Sequence, residues 1–123
     1  MRRCLESREI VAPATPYEVE DALREVDFGS WEGRTRAWLE ANEPGALERR
    51  RLDPIAFRPP QGESFADVAV RLRELAANLA ASQGVLVVGH RGTLGVLERL
   101  LRGLPLESQA VAPLETGEFR VLR

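Results

Sequence analysis

The sequence predicts a layered α/β fold, and three observations carry that reading. Residues 84–89 read Gly-Val-Leu-Val-Val-Gly, a short β-branched apolar run between glycines. A strand buried on both faces of a parallel sheet has this appearance. Upstream, Ser64 to Ser82 places Phe65, Val68, Ala69, Leu72, Leu75, Ala76 and Leu79 at helical spacing, which makes one face apolar. Helix-like and strand-like segments alternate through the rest of the chain, as layered α/β folds require.

Taken in order, Arg2 to Val11 reads as a short helix with Met1, Cys4 and Leu5 on one side, ended by Pro13 and Pro16. Tyr17 to Glu20 alternates in character and is expected to be a strand. Leu23 to Gly33 is dense in charge, aromatics and glycine at once. A helix is expected from Thr35, carrying Trp38 and Leu39 inward and broken at Pro44-Gly45. A second helical piece, Ala46 to Leu52, leads into the proline-rich loop Asp53–Pro60. Ser64 with Asp67 three residues on gives the long helix a capping-box-like start, and Gly84 closes it. The strand Val85–Val88 stops at Gly89, and Gly92 and Thr93 open a helix that runs to Arg102. That helix is terminated by Gly103 and Pro105, and a last strand is expected at Glu118–Leu122.

The 123 residues suit one domain, 1–123, with one core. A formal net charge of −2 argues against broad nucleic-acid binding. All 17 basic residues are arginine, so an anion site must be built from guanidinium groups, backbone amides and the single histidine, His90. One cysteine, Cys4, excludes an internal disulfide and fits a reducing cytoplasm. One histidine and one cysteine cannot assemble a zinc-type cluster, and no metal or cofactor is expected. No apolar run is long enough to span a membrane, and the first residues do not read as a signal peptide.

His90 is expected just past a strand's carboxyl end and before a helix amino terminus. Ligands bind at that place in open α/β sheets, and helix amino termini favour anions. Position alone leaves open a histidine that merely ends a strand.

Four segments point further. Leu23 to Gly33 (Leu-Arg-Glu-Val-Asp-Phe-Gly-Ser-Trp-Glu-Gly) resembles the segment after the third strand in the histidine phosphatase superfamily, the phosphoglycerate-mutase-like enzymes. Pro60-Gln61-Gly62-Glu63-Ser64 resembles their Pro-Gly-Gly-Glu-Ser. Val87-Val88-Gly89-His90-Arg91-Gly92 resembles their second-histidine motif, and Arg3-Cys4 their helix Arg-Cys-x-x-Thr-Ala. The four occur in the family's order over nearly the whole chain. The resemblance implies a three-layer α/β/α sandwich and transfer of a phosphoryl group to a histidine, then to water or another hydroxyl. It implies that Glu25 protonates the leaving oxygen, that His90 donates to the phosphate, and that Arg3 belongs to the phosphate clamp. Trp31 and Glu32 are expected to be structural, and Glu63 and Ser64 mostly a helix start. Arg91 stands where the family usually carries glycine.

The family's Arg-His-Gly motif, whose histidine is the nucleophile, is not in this sequence. A strand, a helix and a second strand that precede the arginine helix in the family are likewise missing. The chain is therefore expected to be an amino-terminally shortened member, by a late start codon, cleavage, a split gene or degeneration, holding the carboxyl-terminal two-thirds of the fold. As such it is expected to be inactive by itself. Two functions follow: phosphomonoester hydrolysis or phosphoryl transfer in the complete form, or a non-catalytic phosphate-binding or interaction module. The expected partners are a small phosphorylated metabolite or inorganic phosphate, and a second copy of the chain or a separate amino-terminal segment that repairs the sheet.

Overall fold

The computed structural model describes residues 2–122. Five helices organise them: α1 (Arg2–Val11), α2 (Arg36–Asn42), α3 (Ala46–Leu52), α4 (Phe65–Ala80) and α5 (Arg91–Leu101). Short 3-10 turns stand at Asp21–Leu23 and Gly29–Trp31.

The apolar stripe of α4 builds the main core. Val68, Ala69, Leu72 and Ala76 pack against Val96 and Leu97 of α5 and against Val26, with Val68 and Leu72 fully buried. A smaller cluster joins Trp31, Leu39 and Ala46, with the rings of Trp31 and Phe57 tilted at a centroid distance of 5.2 Å. Trp38, expected inward with Leu39, is only half-buried beside this cluster.

The start of α4 is fixed by a complete capping box. The Asp67 amide donates to Ser64 Oγ at 3.1 Å, and the Ser64 amide donates to Asp67 Oδ2 at 2.8 Å. The Ser64 bonds, and then the Arg58 guanidinium at 2.6 Å, hold the Asp67 carboxyl below its usual pKa. Its contribution to stability is therefore present above the unfolded carboxylate range and is lost as the pH falls through the lowered folded value. Ser64→Ala is expected to cost about 1–2 kcal/mol in urea denaturation at neutral pH. A loss below a few tenths of a kcal/mol would mean that the box does not set the helix start.

The expected strands do not form. Tyr17–Glu20, Val85–Val88 and Glu118–Leu122 carry no regular structure, and no β-ladder occurs among the described residues. The sheet layer of the expected α/β/α sandwich is thus not formed among the described residues. Val85 and Leu86, read as buried on both faces, are 56% and 60% exposed. A strand exists only where a second backbone lies alongside to take its hydrogen bonds. Here 15–20 and 84–88 instead line a cleft of about 640 Å³, floored by Leu75 and Leu79 of α4 and flanked by Cys4 and Arg8 of α1. The helix after His90 also starts earlier than expected, at Arg91 rather than Thr93.

Candidate active site

His90 is the N-cap of α5, in extended conformation, and its carbonyl accepts the Leu94 amide at 2.8 Å to close the first helical turn. The imidazole therefore stands at the positive end of the α5 dipole, where an anion is favoured. Glu25, from the loop before Val26, approaches it, with Oε2 3.8 Å from His90 Nδ1. The His90 side chain is 9% exposed and that of Glu25 37%, so the carboxyl is the more solvent-accessible of the two.

Burial is the main reason that the His90 pKa lies below its ordinary 6.5; the Glu25 charge opposes the shift and the Arg3 charge on α1 adds to it. The shift favours the neutral imidazole over the imidazolium. Protonation of His90 costs the folded state free energy, so this contribution to stability is full above 6.5 and is lost as the pH falls through the folded value.

The sequence-predicted residues thus fall into two groups. Glu25 and His90 come together directly. Arg3 is exposed on the first turn of α1 and acts on His90 through its charge. Trp31 is buried in the small cluster, as expected, and its indole donates to Glu43 at 3.0 Å. Arg91 pairs with Glu115 at 3.5 Å, and its side chain is more than half exposed.

Glu63 does more than begin a helix. Its carboxylate accepts from Arg24 at 2.5 Å, from the Asp27 amide at 3.1 Å and from Arg71 at 3.0 Å. Three further residues carry the site; the sequence marks Gly92 and Thr93 only as the start of a helix, and it does not single out Arg71. Thr93, fully buried in the first turn of α5, donates to the Arg24 carbonyl at 2.7 Å, with Glu25 Oε1 3.4 Å from the same hydroxyl. Gly92 lets α5 come that close, since a Cβ there would stand 2.9 Å from Glu25 Oε1. Arg71 on α4 is the third. An arginine interrupting an otherwise apolar helix face, between Val68 and Leu75, was the signal available for it.

Chemically, the arrangement is a carboxyl group beside an imidazole at a helix amino terminus, with the Arg3 charge acting on that imidazole, a set able to bind an oxyanion and exchange a proton with it. Among the described residues no group of three or more histidine, cysteine or acidic side chains could hold a metal ion. None of the described helices is long and apolar enough to cross a membrane.

Comparison with known proteins bears on the family of the chain. The family model for the histidine phosphatase superfamily (branch 1) matches residues 1–123. Glucosyl-3-phosphoglycerate phosphatase of Mycobacterium tuberculosis is 37% identical over 99 residues, which cover 72% of this chain and 44% of that protein. The structure of the mycobacterial enzyme with inorganic phosphate superposes with a TM-score of 0.63 at 37% identity, over 72% of this chain and 48% of that one. The alpha-ribazole phosphatase from Shigella flexneri gives a TM-score of 0.81 at 25% identity, over 94% of this chain and 59% of that one. The chain spans about half the length of these relatives. With the family model matched from end to end and the site motifs in the family's order, the chain belongs to the histidine phosphatase superfamily.

Proposed function

We propose that residues 1–123, as one domain, form the phosphate-clamping and proton-donating part of a phosphomonoester hydrolase. The observation that carries this is the meeting of Glu25 and His90 at the amino terminus of α5, with the Arg3 charge acting on the same imidazole. In the family's chemistry an imidazole nitrogen attacks phosphorus, a P–N bond forms, and the P–O bond to the leaving group breaks. Negative charge spreads over the phosphoryl oxygens in that transition state. His90 and Arg3 would oppose it, while Glu25 would give its proton to the departing oxygen. Water then releases phosphate. A small phosphorylated metabolite is the substrate class, in keeping with the phosphatase activities of the relatives.

His90 cannot be clamp and nucleophile at once, and it is the only histidine of the chain. The nucleophile must come from outside these 123 residues. The cleft between 15–20 and 84–88 offers a place for it, because an added strand there would satisfy backbone groups on both sides. A second copy of the chain could pair with that cleft but would bring only its own His90, so the nucleophilic histidine would come from a separate amino-terminal segment; light scattering at micromolar concentration reports whether the isolated chain self-associates.

Phosphate titration tests the reading. Millimolar inorganic phosphate is expected to shift the His90 imidazole resonances and to raise the pH at which they titrate, because a bound dianion stabilises the imidazolium. The chain alone is expected to form no acid-labile phosphoprotein from an aryl phosphate. Absence of any His90 response to phosphate would remove the proposed site. Turnover abolished by His90→Ala, with phosphate trapped on His90, would overturn its role as clamp.

A further inference from the structure

Arg71 of α4 stands beside the loop that carries Glu25. Its side chain is 14% exposed and makes an ion pair with Glu63, itself 16% exposed. The fork grips one short stretch of backbone. Nη1 donates to the Ala22 carbonyl, and Nη2 donates to the carbonyls of Arg24 at 2.9 Å and Glu25 at 3.3 Å. Nε and Nη2 also donate to the Glu63 carboxylate at 3.0 and 3.2 Å. Glu63 in turn accepts from Arg24 and from the Asp27 amide, on the two sides of Glu25.

These bonds converge on a loop with little regular structure of its own between Arg24 and Phe28. An irregular loop holds a side chain in place only if its carbonyls and amides are tied to something rigid. Here the rigid element is α4, whose neighbouring residues Val68 and Leu72 are fully buried. We infer that Arg71, with Glu63, is a positioning residue of the site: the pair fixes the 22–27 backbone and so sets the Glu25 carboxyl opposite His90. Planarity matters to this role. A guanidinium can serve three carbonyls and a carboxylate at once, whereas an ammonium offers a point charge without the fork.

The inference rests on the proposed roles of Glu25 and His90, but its test needs neither turnover nor phosphate. As the only histidine, His90 is an unobstructed reporter of the charge beside it. The charged groups acting on it include Glu25 from the loop and Arg3 from α1. Glu25→Gln removes the favourable charge, so the His90 titration midpoint followed by NMR is expected to fall. If Arg71 holds Glu25 in place, the same Glu25→Gln change is expected to shift the midpoint less than half as far in an Arg71→Met background. Arg71→Lys is expected to resemble Arg71→Met. Glu63→Gln, which keeps the shape of the pair, offers a milder second background with the same direction of effect.

Leu79→Ala, a core truncation outside this network, serves as the control: it is expected to lower stability while leaving the full Glu25→Gln shift. An unreduced shift in Arg71→Met, or in Glu63→Gln should Arg71→Met not fold, would overturn the inference. A reduced shift without any phosphate response would instead uphold Arg71 as the positioning residue and count against the proposed anion site.

Discussion

Gly62→Ala and Gly29→Ala are each expected to cost about 3 kcal/mol or more, while Gly33→Ala costs only about 1 kcal/mol. The difference lies in what surrounds each position. A Cβ on Gly62 would stand 2.6 Å from the Asp27 carbonyl oxygen and 3.0 Å from both the Gly29 nitrogen and the Phe28 carbonyl carbon. A Cβ on Gly29 would lie 2.2 Å from the Pro60 oxygen, and Gly29 has a φ of +53° that side chains resist. All of these neighbours are backbone, so relief requires that one loop retreat from the other. Retreat would break the bonds that join them: the Ser30 amide to the Pro60 carbonyl at 2.9 Å, and the Glu63 amide to the Asp27 carbonyl at 2.7 Å. Gly33 has a φ of +69° but open space around it, so it reports the conformational cost alone. Urea denaturation of the three variants measures the contrast. Equal losses for Gly33→Ala and Gly62→Ala would mean that the two loops do not interlock.

That interlock explains why some of the site was legible in the sequence and some was not. The long helix and its cap could be read because their determinants are local: a stripe at helical spacing, and Ser64 three residues before Asp67. His90 and Glu25 were found through motif order, which carries no information about distance, and the fold brings them to 3.8 Å. The side-chain roles of Arg71 and Thr93 were invisible for a different reason. Their work is done by side chains on backbone carbonyls 46 to 69 residues away, and a carbonyl has no residue identity to read. The strands failed for a third reason. Val85–Val88 has the composition of a buried strand, but burial and pairing are supplied by other segments, and composition states only what the stretch could do if they were there.

The sharpest functional test falls on Glu25. In the protein completed by a segment carrying the nucleophilic histidine, whether as one reading frame or reconstituted from two pieces, Glu25→Gln is expected to lower kcat by roughly 100- to 10,000-fold on an alkyl phosphate. The departing alkoxide is a strong base and cannot leave without a proton. On an aryl phosphate with a strongly acidic phenol, the leaving oxygen needs little help, and the same substitution is expected to cost far less. A glutamine keeps the size of the side chain and can still donate to the neighbouring groups, so the two substrates separate lost proton transfer from disturbed packing. His90→Ala is expected to behave differently: it weakens the clamp on the phosphoryl oxygens, which both substrates share, and should slow both by a similar factor of roughly 100 to 1,000. If Glu25→Gln slowed the two substrates equally, Glu25 would be acting on the phosphoryl group or on His90 and would not be the proton donor. Its contact with Thr93, and the absence of a Cβ at Gly92, would then describe a carboxylate held to orient the histidine, in the manner of a charge partner rather than an acid.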